Sequence, residues 1–297
     1  SRSHVAGDFT DQERRASLAA MAWSALRWKR FYESERAALG EAGLDALLAE
    51  APEFEIPAQG ALVFPHTRLS GSGLLAAAAA TAVMRSGADR VLALGVLHRG
   101  RERDAALVHA ARGGEPHARA ALRRVHGPGT PDDAGFWQEE FSLDGFSALL
   151  SLAARRAGRP PPLLTVRYPF LVGVQPCGLH GLDELARLRE AGAVLVATAD
   201  PVHHGAGYGT PAPERLVASD PQTRGTVRTW VESALSRLAA GDVPGFLELS
   251  ERAQSDFRDT GPVLRELLGM ARPVRTRVHE LMLVDYSGVL GAPRPTW

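Results

Sequence analysis

Cysteine is nearly absent from this chain. Cys177 is the only one in 297 residues, which excludes an intrachain disulfide framework and any Cys-x-x-Cys metal knuckle. Lysine is as scarce, Lys29 standing alone among many arginines, and the formal net charge is +0. With no general basic field, neither nucleic acid nor a membrane surface is expected as a partner. Long uncharged apolar runs are missing too: the Ala-rich "SGSGLLAAAAATAVMRSG" is too short and too weakly apolar to cross a bilayer. The opening "SRSHVAGDFTDQERR" has neither the basic nor the apolar region of a secretory signal, so the expected location is the cytoplasm. Familiar catalytic signatures are likewise lacking. "SGSGLL" has neither the G-x-G-x-x-G spacing nor a Walker lysine, and there is no G-x-S-x-G elbow and no His-Glu-x-x-His. Ser70 in that stretch is expected to cap a helix. Cys177, with His180 close by in "VQPCGLHG", reads as a small packed residue before it reads as a nucleophile.

What is present is a hydrophobic content of 45%, enough to bury a sizeable core. Residues 10 to 50 space apolar residues at three and four and predict helices, an N-terminal helical segment (1–50) packing on a main domain (51–297). "GALVF" (60–64), "RVLALGV" (90–96), "PLLTVRYPFLVG" (162–173) and "AVLVATA" (193–199) are strand-length apolar runs, and helical patterns separate them. "RVHELMLVDYS" (277–287) predicts a final strand. Alternation of this kind, with no repeat or low-complexity linker, predicts a single α/β domain with a mostly parallel central sheet flanked by helices.

In open α/β sheets ligands bind beyond the carboxyl ends of the strands. Three of those ends carry polar residues here: "LVFPH" delivers His66, "LALGVLH" delivers His98, and "LVATADPVH" delivers Asp200 and His203. Imidazoles distant in the chain can therefore meet at one sheet edge. Imidazole with carboxylate is a ligand set for Fe, Zn, Cu or Mn, and two His plus one carboxylate with open positions is the arrangement of non-haem Fe(II) oxygenases. The plainer reading of each residue is a hydrogen-bonded loop histidine, and the absence of any short-range metal motif leaves both readings standing.

The same stretches resemble a known family. "FPHTRLSGSGLLAAAAATAV" is similar to the "PHAGY-x-(Y/F)-SG-x-x-AA" segment of the MEMO family, called protein B of the AmmeMemoRadiSam system in microbes. "VLALGVLHRG", "EEFSLDGFSALL", "YPFLVG" and "ATADPVHHG" resemble its "LGPSHH", "EEHS(I/L)E-x-x-LPFL", "P(I/V)LVG" and "SSDF-x-H-x-G" segments, in the same order. The likeness runs from about residue 60 to 290. It implies a LigB-like fold shared with class III extradiol dioxygenases, and a metal pocket at the strand ends with His66, His98, Asp200 and His203 at the family's site positions. His204 falls where the family has an aromatic residue.

The chain departs from the pattern in its arginines. The family's cysteine in "CGR-x-PI" is matched by Arg258 in "FRDTGPVLRELL", "SHH" becomes "LHR" with Arg99, "PHAGY" becomes "PHTRL" with Arg68, and "EEHS" becomes "EEFS" with Phe141. Two expectations follow from the resemblance. One is a metal-dependent, non-haem redox or dioxygenase-like enzyme acting on a small molecule. Fe(II) is its first choice of ion, with Cu or Zn as alternatives, held by His66, His98 and a third ligand, Asp259 or His203; His203 acts as acid or base and Asp200 orients it. The other is a catalytically silent scaffold without a metal, in which Arg68, Arg99 and Arg258, with His204, contact an anionic ligand or a protein partner.

Overall fold

A computed structural model describes residues 23–98, 105–130, 135–269 and 274–297. The helix expected before residue 23, and Arg99, lie outside them. The chain forms one α/β domain around a five-stranded sheet of order β1-β5-β2-β4-β3, where β1 is Ala61–Phe64, β2 Arg90–Leu94, β3 Arg124–His126, β4 Leu163–Phe170 and β5 Val194–Thr198. β1, β5, β2 and β4 run parallel, and β3 pairs antiparallel with β4 at the far edge. Strand β2 shows why the expected runs are apolar throughout rather than alternating. Val91 and Ala93 point into one core and Leu92 and Leu94 into the other, so both faces are covered, as a parallel sheet requires.

Helices α1 (Ala25–Glu50), α2 (Leu69–Ser86) and α5 (Asp144–Arg156) pack over the first face. The small side chains Ala77, Ala79 and Ala80 of α2 are fully buried in this core, so this helix backbone sits close to its neighbours. Its first turn is held from outside: the Glu35 carboxylate of α1 accepts from Leu69 N at 2.8 Å and Ser70 N at 3.2 Å. Ser70 thus does not cap the helix, and its hydroxyl bonds to Glu35 instead. Helix α1 bends at Gly40, whose φ of 62° is a conformation that glycine tolerates and other residues resist.

The second face is covered by α6 (Leu182–Glu190), α7 (Pro221–Ala240), α8 (Val243–Arg252) and α9 (Phe257–Leu268). Shorter helices are α3 (Ala105–Arg112), α4 (Pro116–Leu122) and α10 (Ser287–Leu290). No helix among the described residues is long and apolar enough to cross a membrane.

One expected strand is not formed. Residues 277–286 form no strand, and most of them line a cavity beside β1 instead of adding to its open edge. Side chains take up backbone groups there: Arg228 Nη1 donates to Val278 O at 2.9 Å, and Leu281 N donates to Glu280 Oε1 at 3.1 Å. Val63 of β1 is left 41% exposed as a result.

Candidate functional site

Strand register fixes where the polar residues land. Phe64 of β1 lies level with Thr198 of β5, and Leu94 of β2 with Ala197. His66 and Asp200 therefore leave neighbouring strands two residues past the same level, and His98 leaves β2 on the other side of β5. His66 N donates to Asp200 Oδ1 at 3.1 Å, which ties the two strand ends together. His66 Nε2 then lies 3.0 Å from His98 Nε2, 3.3 Å from Asp256 Oδ2 and 3.7 Å from Asp200 Oδ2. Two overlapping groups of ligand atoms result, His66–His98–Asp256 and Asp200–His203–Asp256, the atoms of each lying within 4.8 Å of one another.

The His98 and His203 rings are held by partners outside the cluster. His98 Nδ1 is 2.8 Å from Glu140 Oε1, and the other oxygen of that carboxylate accepts from His98 N at 2.6 Å. The buried Glu140 thereby orients His98 and frees its Nε2. Phe141, the residue that departs from "EEHS", stacks on the His98 ring with centroids 4.4 Å apart. His203 Nδ1 lies 2.8 Å from Gln254 O. A carbonyl only accepts, so Nδ1 carries the proton and Nε2 keeps its lone pair. Gln254 has φ 51°, a left-handed conformation that costs a non-glycine residue energy and that here presents its carbonyl to His203.

Asp256 is the functional candidate that sequence reasoning missed. It occupies the N-cap position of α9 yet makes no side-chain cap bond. Its Oδ1 accepts from Asp200 N at 2.7 Å, and its Oδ2 is buried with no hydrogen-bond partner. The signal was an acid opening an amphipathic helix, two residues before Arg258, but an N-cap acid ordinarily caps.

Burial and charge set the protonation states. Burial lowers the pKa of His66 to about 4, although the Asp200 carboxylate pulls the other way. Burial also works to lower that of His98, but Glu140 overrides it and the net shift is upward. Glu140 is correspondingly lowered, burial being outweighed by His98. Asp256 is raised well above the carboxylate range, first by burial and then by the charge of Asp200. His203 is lowered, chiefly by burial.

Several expectations are corrected. Asp259 lies one turn into α9 and belongs to neither ligand group; its Oδ1 accepts from Leu171 N at 2.8 Å and pins the chain just beyond β4. It is buried against the end of β4, one turn along the helix from Asp256, where the Leu171 N–H holds its carboxylate. His204 faces away from the cluster: its Nε2 accepts from Leu216 N at 2.8 Å and its ring packs on Trp297. His203 is oriented by Gln254 rather than by Asp200. Arg258 reaches outward to Glu251 at 3.3 Å, and neither Arg258 nor Arg68 lines the cavity. The arginines that do are Arg265, Arg275 and Arg277.

That cavity measures about 900 Å³ and has His66, His98, Asp200 and His203 in its wall, with Val63, Val231, Leu238 and Leu281 among its apolar lining. The described site thus opens into an apolar space able to receive an organic molecule. No family model and no curated protein matches the chain.

Proposed function

We propose that this chain is a metal-dependent enzyme of the non-haem iron type, performing redox or dioxygenase-like chemistry on a small molecule, as its resemblance to the MEMO and LigB-like families implies. His66, His98 and Asp256 are the protein ligands in this reading. One observation carries it: three ligand atoms on three separate elements face one another at 3.0 Å (His66 to His98) and 3.3 Å (His66 to Asp256). Bonds of roughly 2.1 Å at near right angles place neighbouring ligand atoms about 3.0 Å apart. The donor set is two imidazoles and a carboxylate, which suits Fe(II), with Zn or Cu as alternatives.

A divalent ion bound there supplies Lewis acidity or redox capacity, with open positions for a chelating substrate. The remaining work falls to the chain. Glu140 keeps the His98 Nε2 lone pair directed inward, as carboxylates behind metal-bound histidines do. His203 Nε2, unprotonated because Nδ1 is committed to Gln254, keeps a lone pair for a substrate proton as long as no ion takes it. The apolar cavity walls keep bulk water from the reacting end.

The test is iron retention by protein purified without a His tag or chelator and given one equivalent of Fe(II) without oxygen. The wild type should keep it through gel filtration, and His66→Ala and His98→Ala should not. A wild type that holds no iron, zinc or copper ends this reading. A silent binding protein would then be favoured, on one specific feature: Arg265 Nε is buried in the cavity region with no hydrogen-bond partner, which suits an anionic ligand.

A further inference from the structure

We infer that the pocket holds two divalent cations, the second bound by Asp200, His203 and Asp256, with Asp256 shared between the two positions. The inference rests on the first position proposed above and extends it.

Its basis is a repeated pattern of anchoring. Asp200 commits Oδ1 to His66 N and leaves Oδ2 without a hydrogen bond among the described residues; Asp256 commits Oδ1 to Asp200 N and leaves Oδ2 likewise. His203 commits Nδ1 to Gln254 O, as His98 commits Nδ1 to Glu140. Each of the four side chains thus has one polar atom fixed by the fold and one left over, and these residues fall within the two ligand groups. The ligand atoms of Asp200, His203 and Asp256 lie within 4.8 Å of one another, as do those of the first group.

Two further observations point to a ligand. The Asp256 side chain is 13% exposed, and it forgoes the helix N-terminus that would have satisfied it. A buried polar atom without a partner is destabilising, so this geometry is held against a stability cost. The charge count runs the same way. Glu140, Asp200 and Asp256 have no arginine or lysine within ion-pair distance among the described residues, their close charged contacts being histidines, with Arg258 acting on Asp256 from further off. One dication leaves that set of three carboxylates negative, and a second brings it past neutral. Two-metal sites place their ions roughly 3.5–4 Å apart, which a shared carboxylate can bridge. Mixed imidazole and carboxylate donors select Mn²⁺, Fe²⁺, Co²⁺ or Zn²⁺ over Mg²⁺ or Cu(I).

Mn²⁺ serves as the probe, with stoichiometry from calorimetry and coupling from electron paramagnetic resonance on chelator-treated protein. The wild type should take up two equivalents and give an exchange-coupled spectrum. His203→Ala and Asp200→Asn should each drop to one equivalent with an uncoupled six-line spectrum. His98→Ala should also drop to one, by losing the other position, and Asp256→Asn should weaken both. Circular dichroism and melting temperature establish that each variant is folded; His203→Gln replaces His203→Ala if that variant is not. One equivalent in the wild type, unchanged in affinity in the folded His203 and Asp200 variants, overturns the second position while leaving the first intact. No uptake at all overturns both.

Discussion

His203 and His204 are adjacent in the chain and belong to two regions built on opposite principles. Around His204 the backbone groups and Nε2 are all used. Its N donates to Trp297 O at 2.7 Å, its O accepts from Trp297 N at 2.9 Å, its Nε2 accepts from Leu216 N, and Trp297 Nε1 closes the circuit on Leu216 O at 2.9 Å. Gly205, with φ 104°, lies so close beneath this clamp that a Cβ would fall 2.1 Å from Pro295 O. Around His66 the reverse holds: Asp256 Oδ2 within the cluster and His66 Nδ1 on the other side of its ring lack hydrogen-bond partners, and Asp256 declines the helix cap. A satisfied histidine is accounted for by stability alone. An unpartnered carboxylate oxygen beside two imidazoles is destabilising by itself, and the ions proposed above would account for it.

The comparison breaks most decisively at α9. Asp256→Asn should lower affinity for a divalent ion by more than about 100-fold, beyond the outer-sphere losses typical of metal sites. Its metal-free melting temperature should hold or rise, because the variant removes a buried like-charge contact with Asp200. Asp259→Ala, three residues on, should do the opposite: unchanged ion affinity and a loss of about 1–3 kcal/mol from the orphaned Leu171 N–H. Calorimetry and thermal melts on both variants give the answer, and Asp259→Ala losing the ion would mean that α9 has been misread.

A smaller effect is expected at Glu140, which touches the proposed ion only through His98. Glu140→Gln should weaken ion binding by about 10–100-fold while keeping its stoichiometry. A variant that binds as tightly as the wild type would show that Glu140 serves packing, not the His98 ring.

Much of this was legible in the sequence, and the failures have physical causes. Four apolar runs became β1, β2, β4 and β5, because strands buried on both faces declare themselves by continuous hydrophobicity. His66, His98, Asp200 and His203 come together because strand ends in a parallel sheet converge, whatever their separation in the chain. Residues 277–287 misled because a β-prone composition does not create a partner; at that edge Arg228 and Glu280 satisfy backbone groups instead. Asp256 is hard to see in the sequence because the resemblance sets Arg258 opposite a cysteine, and Asp259 is the acid beside it in the chain. Asp256 and Asp259 leave similar sides of the helix, and what separates them is their anchors, Asp200 N and Leu171 N, which residue spacing does not record.

His204→Ala sharpens the comparison from the structural side. Removing the ring forfeits its packing on Trp297 and strands Leu216 N, a loss of about 2–3 kcal/mol, with ion affinity unchanged. His203→Ala should show the converse, a small change in melting temperature and an altered ion stoichiometry. Equal melting losses in the two variants would erase the distinction between the regions.

The smallest effect is the pH dependence of the metal-free protein, and its sign follows from two opposed groups. His66 has a native pKa lowered to about 4 by burial, against roughly 6.5 when unfolded. Between these values the unfolded chain binds the proton and the native one does not, so stability is lost as pH falls from 6.5 towards 4. Asp256 is raised by burial and by Asp200, so the native state binds the proton first. Its contribution is present at low pH and lost as pH climbs through the window above its unfolded value. The two slopes oppose each other where they overlap, each limited to about 1.4 kcal/mol per pH unit. Asp256→Asn removes one of them. In chelator, its melting temperature should fall more steeply from pH 6.5 to 4.5 than that of the wild type, while His66→Ala should give a flatter profile. Parallel profiles for all three proteins would mean that neither group carries the burial assigned to it.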